Sequence, residues 1–367
     1  MKIIKTGTTY KIYGEDLVVL DNLPAQTYKV GFDKDIGFFL GKQDDLEIKE
    51  EKIYGVHESK ANKVLNRFEK SCKNLGVILS GDKGIGKSLF ARLLSQKAIE
   101  NGIPVILVDH YIRGIDDFLN SIKNEALILF DEFDKTFDED DDDNPQAKML
   151  SLFDGTSSGK KLFVVTCNKY YNLNEYLINR PGRFHFHFRF SYPTEDDIKE
   201  YLTDKLDEKY YSEIEKVILF SKRTLLSYDC LSAIALEINE GETFESAIED
   251  LNIVNTGGRK RKCEVKLFSE EGIVFISKEM ELNLFGGLIE DLGMIDNRGN
   301  CGYITFDPKN AKYDDVKNAF ILSPEDSDMD VQTMGMPSEE EEFYENLHYT
   351  YAEIIPMDYD ELRYKLV

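Results

Sequence analysis

The residues best able to do chemistry in this chain are Gly81, Asp82, Lys83, Gly84, Ile85, Gly86, Lys87 and Ser88, which spell G-x-x-x-x-G-K-S. Glycines at that spacing leave backbone N–H groups free to close around phosphate oxygens, and a helix beginning at the loop adds partial positive charge. A lysine in the seventh position reaches the outer phosphates of a nucleotide, and the hydroxyl of the eighth is a ligand for Mg²⁺. The flanks suit this use. Gly76-Val77-Ile78-Leu79-Ser80 is a continuous apolar run that reads as a buried strand, and Ser88 to Leu94 continue at helical spacing, which places Leu89 in the first turn beside the bound group. A glycine-rich surface turn accounts for the glycines but not for the Lys-Ser pair.

Two further apolar runs end in polar groups. Ala126 to Phe130 runs into Asp131 and Glu132, and ligands of open α/β sheets sit at the carboxyl ends of such strands. Asp131 is then placed to hold Mg²⁺ with Ser88, and Glu132 to polarise an attacking water. An acidic cap after a core strand is the plain alternative, and the phosphate loop upstream argues against it. Leu162 to Cys167 ends in Asn168, an amide suited to orienting water or touching the terminal phosphate. Asn179-Arg180-Pro181-Gly182-Arg183 is a rigid turn carrying two guanidinium groups, which suit the spread charge of phosphoryl transfer. Standing alone, that turn reads as two solvated arginines.

The elements that must position these groups alternate. Strand-like runs at 77–80, 104–109, 126–131, 162–167 and 184–190 are separated by helical stretches, which implies parallel crossovers and an α/β sheet covered on both faces. Four short strand signals precede it, at 10–13, 17–20, 27–32 and 36–40. Residues 195–253 turn mostly helical, strand signals return from Cys263, and the last stretch is acidic but interrupted by Phe343, Tyr344, Tyr349 and Tyr351. The expected organisation is a small N-terminal β domain over 1–55, a nucleotide-binding α/β domain over 56–193, a helical segment over 194–256 and a β-rich acidic domain over 257–367. The acidic stretch is expected to be partly ordered rather than a free tail.

Composition narrows the class. At 367 residues with 42% hydrophobic and 31% charged content, the chain can build more than one core. No apolar run is long enough to cross a bilayer, which predicts no membrane partner. Five scattered cysteines without a C-x-x-C pair suit a reducing cytoplasm. A net charge of −24 disfavours nucleic acid as a general partner; Arg259-Lys260-Arg261-Lys262 is the local exception, with a solvated linker as its plainer reading. His185 and His187 share one face of a strand, yet no carboxylate or cysteine cluster accompanies them as metal ligands.

Taken together, the motifs resemble the AAA family of the AAA+ ATPases over about residues 56–255. Gly81–Ser88 is similar to its Walker A, Leu127–Glu132 to its Walker B, Thr166-Cys167-Asn168 to its sensor 1 segment and Arg180–Arg183 to its second region of homology. The resemblance implies an AAA+ P-loop parallel sheet followed by a helical lid, with ATP and Mg²⁺ as cofactors. It also implies a homo-oligomeric ring, usually a hexamer, in which Arg180 and Arg183 act in trans on a neighbour's ATP while the machine remodels or moves a protein client. Two departures stand out. His110 to Asp116 lacks a clean aromatic-glycine pore loop, leaving Tyr111 and Ile112 open to either pore lining or packing. Phe137 to Asn144 is an acidic loop where a second pore loop would fall. The flanks resemble AAA ATPases encoded by bacteriophages, which would place the protein in a host cytoplasm. The same motifs are compatible with a nucleotide-gated scaffold and, through Arg259–Lys262, with a nucleic-acid motor.

Overall fold

The computed structural model describes residues 1–48, 50, 52–54, 57–137, 144–154, 159–178, 182–251, 253, 260–333 and 337–357. They form two units, Met1–Phe190 and Ser191–Val367.

The first unit begins with a hairpin, β1 (Lys2–Thr6) and β2 (Thr9–Tyr13), which pairs with no other strand among the described residues. Next come β3 (Thr27–Asp33), β4 (Gly37–Lys42), α1 (His57–Lys70), β5 (Leu75–Ser80), α2 (Lys87–Glu100), β6 (Val105–Val108), α3 (Ile115–Ser121) and β7 (Ala126–Phe130). The unit closes with α4 (Phe133–Thr136), α5 (Pro145–Phe153), β8 (Lys161–Cys167), α6 (Glu175–Ile178) and β9 (Phe184–Arg189). Seven strands make one sheet in the order β4-β3-β6-β7-β8-β5-β9, parallel throughout except for β3 with β4.

Every residue of β5, β7 and β8 is buried, which is why these segments read as unbroken apolar runs. Apolar clusters cover both faces of the sheet, one containing Phe130, Phe133, Phe153 and Phe163 and the other Phe68, Phe90, Leu94 and Val164.

One early segment departs from the strand expectation. The run at 17–20 is irregular, with Val18 and Val19 71% and 76% exposed; it pairs with no strand among the described residues, and strands are stabilised by cross-strand pairs. By contrast β3 is hydrogen-bonded in parallel to β6, with Tyr28 opposite Ile106, so β3 and β4 extend the central sheet. Tyr28 and Val30 are buried there, which explains why an apparently separate early piece joins the main core.

The second unit starts with α7 (Glu195–Lys205), held by a capping box in which Asp197 N donates to Thr194 Oγ1 and Thr194 N donates to Asp197 Oδ2. Helices α8 (Ile214–Arg223), α9 (Tyr228–Glu240) and α10 (Phe244–Asp250) follow, the last two opened by the N-caps Ser227 and Thr243. Beyond them lies an antiparallel nine-stranded sheet with half-barrel form, running from Arg261–Ser269 to Tyr349–Pro356, two strands that pair with each other. The helices are tied to this sheet by two arginines, of which Arg261 is buried. Arg223 donates to the carbonyls of Leu284 at 2.7 Å and Ala311 at 2.8 Å, and Arg261 donates to that of Ser221 at 2.6 Å.

The acidic stretch near the end is built into this unit. Residues 338–345 are helical, and Tyr344 is buried with its hydroxyl donating to Asp296. No helix among the described residues is long and apolar enough to cross a membrane.

Candidate functional site

The phosphate loop hangs between the carboxyl end of β5 and the amino end of α2, and its glycines have a visible reason. Gly81 has φ +140°, and a Cβ there would come within 2.5 Å of the Phe190 carbonyl oxygen, which follows β9. Gly86 is the N-cap of α2 at φ +99°, with the His57 ring 3.1 Å from where its Cβ would stand. Side chains at either point would close the cradle or strain it. His57 itself lies between Phe90 and Phe190, and burial holds its imidazole below the usual histidine range.

Lys87 is buried and faces the loop. Its Nζ donates to Gly81 O at 2.6 Å, Asp82 O at 2.5 Å and Asn168 Oδ1 at 3.0 Å. Desolvation lowers its pKa. Ser88 is exposed at the start of α2, Leu89 is half-buried behind it and Ile85 is buried under the loop, while Asp82 and Lys83 are exposed. This set fits a nucleotide triphosphate: a cradle only glycines allow, one buried ammonium and a hydroxyl at the mouth.

The other predicted residues arrive from the neighbouring strands. Because β8 lies between β5 and β7, the end of each strand contributes to one cleft. Asp131 and Glu132 follow β7, and Asn168 follows β8. Asn168 bridges the parts, accepting from Lys87 and placing its amide nitrogen 3.4 Å from Glu132 Oε1. Glu132 adopts the left-handed conformation at φ +47°, an uncommon one for a residue with a side chain, which turns its carboxylate back toward the cleft side of β7.

Three supporting residues order these groups, and two of them, Asp134 and Lys135, carry no motif of their own. Thr166 Oγ1 donates to Asp131 Oδ1 at 2.6 Å and accepts from Glu132 N at 2.8 Å, so one hydroxyl on β8 orders both acids. Asp134 is buried, and its Oδ2 accepts the backbone N–H groups of Asn168 at 3.1 Å and Lys169 at 3.0 Å, fixing the turn that presents Asn168. Lys135 donates to Glu132 Oε1 at 2.6 Å, and this hydrogen bond holds the Glu132 carboxyl below the usual carboxylate range. An acid three residues beyond Asp131, on the helix that the sequence starts there, is the signal that would have found Asp134. Asp134→Ala is expected to leave two N–H groups unpaired, at about 1–3 kcal/mol for each that stays buried. Melting temperature and turnover should fall together; an unchanged melting temperature would remove Asp134 from the scaffold.

Other expected site residues fall elsewhere. Arg180 lies outside the described residues. Arg183, expected to reach toward a neighbouring subunit, is instead turned into its own chain: it is 6% exposed and paired in bidentate fashion with Asp154, because a buried guanidinium needs a fixed carboxylate. Tyr111 packs edge-on against Phe137 at 5.7 Å, which favours packing over pore lining. Residues 138–143 of the acidic loop lie outside the described residues. His187 Nε2 is bonded to Ser80 Oγ at 2.7 Å, and burial pushes its pKa down to about 4. Within the basic cluster Arg259 lies outside the described residues, Lys260 is exposed, Arg261 is buried and donates to Ser221, and Lys262 pairs with Glu279.

A mostly parallel sheet in which β5 ends in this phosphate loop, β8 beside it ends in Asn168 and β7 beyond that ends in two acids, defines a P-loop nucleotide-binding domain. Residues 77–192 match the family described as ATPase family associated with various cellular activities (AAA), so the chain carries an AAA-family ATPase domain. The chain is also similar to the vesicular-fusion protein SEC18 of Candida albicans, with 27% identity over 170 residues, covering 38% of this chain and 21% of that protein. The match thus spans about a fifth of that relative's length.

Proposed function

We propose that the chain is a Mg²⁺-dependent ATP hydrolase that works as a homo-oligomeric ring, with six subunits as the expected number, and couples hydrolysis to remodelling or moving a protein client. The convergence of Lys87, Asp131, Glu132 and Asn168 on one cleft, ordered by Thr166 and Asp134, is the observation that carries this reading. ATP with Mg²⁺ brings the scissile phosphoanhydride and most of the charge neutralisation. The chain's own part is positional. Backbone N–H groups of Gly81 to Ser88 cradle phosphates, with Leu89 flanking them; Lys87 supplies a buried positive charge; Ser88 and Asp131 hold the metal; Asn168 orients water; and Glu132 takes its proton.

The residues before and after this domain belong to the same proposal. Residues 194–256 act as the lid, and Arg180 serves a neighbour's site, so hydrolysis depends on assembly. The N-terminal strands and residues 257–367 are the regions through which a client is engaged. A relative named for vesicular fusion supports mechanical use of the nucleotide, and the charge of −24 favours a protein client over nucleic acid, in a cytoplasmic setting.

Specific ATPase activity measured against protein concentration tests this directly. A rate per subunit that rises with concentration and then saturates is the expected result. Tight nucleotide binding with no turnover at any concentration would instead make the chain a nucleotide-gated scaffold.

A further inference from the structure

The hairpin of β1 and β2 keeps its apolar residues in water. Its register sets Ile3 opposite Ile12 and Lys5 opposite Tyr10, so these four share one face of the ribbon. Ile3, Tyr10 and Ile12 are 57%, 62% and 69% exposed, and the Lys5 ammonium lies 5.4 Å above the Tyr10 ring. The hairpin pairs with no third strand among the described residues, and a two-stranded ribbon without cover is marginal in water. Residues 1–13 carry Lys2, Lys5 and Lys11 and no acid, in a chain whose net charge is −24. An exposed apolar face with positive charge beside it is complementary to an apolar face with an acidic rim.

A face of that kind lies on β3 and β4. One side of this pair packs on the core through Val30, Phe38 and Leu40. On the reverse side Gly31 stands opposite Phe39, and Asp33 opposite Gly37. The Phe39 ring lies over Gly31, where a Cβ would come within 2.5 Å of it, whereas a Cβ on Gly37 would meet nothing within 4 Å. The result is one exposed aromatic ring on a floor of bare backbone, with Ile36 exposed at the turn. Asp33 shares this side, and Asp35, Asp44 and Glu47 are exposed in the adjoining chain, with Lys34 and Lys42 as counter-charges. The outer edge of β4, the last strand of its sheet, is unpaired among the described residues. Within one copy the two faces do not cover each other, since Ile3, Ile12 and Phe39 all stay exposed.

We propose that the hairpin face of Ile3, Tyr10 and Ile12 docks on the Phe39 face of a second copy of this chain, its lysines against the acidic rim. The contact is heterologous. Two docked copies leave one hairpin and one receiving face open, so the contact repeats and closes into a ring if the rotation allows. This inference rests on the homo-oligomeric reading above. It leaves the reverse face of the hairpin, with Lys11 and Tyr13, and residues 257–367 for a client.

Sedimentation of the full-length protein with MgATP, over a range of protein concentrations, tests the docking through two variants. Ile3→Asp/Ile12→Asp spoils the hairpin face and Phe39→Asp spoils the receiving face. Each is expected to need about tenfold or more protein to assemble, the loss expected when even one apolar side chain stays in water. Melting temperature and affinity for a fluorescent ATP analogue should match the parent, because the altered side chains are exposed. Mixing the two variants supplies one sound hairpin and one sound face, so a two-chain species should form that neither variant forms alone. Lys5→Glu should weaken assembly in the same direction, and added salt should weaken it in the parent.

Parental assembly in both variants would overturn the proposal, and so would a mixture that yields no two-chain species. If the melt shows that Ile3→Asp/Ile12→Asp misfolds, Phe39→Asp and Lys5→Glu decide, and parental assembly in those two overturns the docking. The parent separates this inference from the reading beneath it. A parent that stays monomeric at every concentration refutes the oligomer, whereas one that assembles beside equally competent variants refutes only the docking.

Discussion

Lys87→Ala is expected to abolish ATP binding at micromolar nucleotide while leaving the fold intact. The ammonium is buried and faces the loop, and it already makes three hydrogen bonds within 3.0 Å to Gly81, Asp82 and Asn168. Phosphate oxygens are stronger acceptors than those carbonyls because they carry charge. Hydrogen bonds to charged groups contribute about 1.5–3 kcal/mol each, so losing two of them weakens binding by about 10²–10⁴-fold. Stability should change little, since burial already lowers the pKa of this lysine and the loop carbonyls it releases lie at the mouth of the cleft. Titration with a fluorescent ATP analogue, paired with a thermal melt, measures both halves. Retained affinity in a folded variant would mean that the nucleotide does not use this loop.

The second large effect is expected from Glu132→Gln, which should bind ATP as the parent does and turn over about 10²–10⁴ times more slowly, the usual contribution of a general base. The amide has the size of the acid and can still accept from Lys135, so the left-handed backbone at 132 and the bond its N–H donates to Thr166 need not move. What it cannot do is take a proton from water. The pH dependence follows in sign. The hydrogen bond from Lys135 keeps the Glu132 carboxyl below its ordinary range, so the base is already ionised at neutral pH. The parent's rate should therefore stay flat through neutrality and fall only as pH drops below the unperturbed glutamate value of about 4.3, provided the protein remains folded. Lys135→Met, which removes that bond, should move the acid limb upward. Steady-state hydrolysis at the parental rate in Glu132→Gln would end the assignment of Glu132 as the base.

Much of the first unit was legible from the chain because its signals are local. Strands buried on both faces must be continuous apolar runs, and β5, β7 and β8 are. The loop at Gly81 to Ser88 is constrained by backbone geometry that only its glycines allow, so eight consecutive residues suffice to announce it. The helical character of residues 195–250 was likewise readable.

The residues that sequence reasoning missed or misplaced are those whose meaning depends on a distant partner. Thr166 looks like any β-branched core residue until β8 lies beside β7 and its hydroxyl meets Asp131, 35 positions away. Asp134 looks like a solvated helix acid until the turn after β8 places two N–H groups on it. The early strands 27–33 and 37–42 are legible as strands, but which strand they join, β6, is decided by the order of the sheet.

The sequence by itself determined the chemistry on offer: a phosphate loop, two acids at the end of one strand, an amide at the end of another, and two arginines on one turn. Tertiary structure decided how those groups are used. Strand order, which follows from the burial and hydrogen bonding of the whole sheet, brought Lys87, Asn168 and Glu132 into one cleft. The same packing turned Arg183 inward onto Asp154, 29 positions upstream. An arginine's type and spacing establish that it carries a guanidinium; only its buried partner fixes which way that guanidinium points, because the free energy of a paired, desolvated charge is set by contacts that no local window of sequence contains.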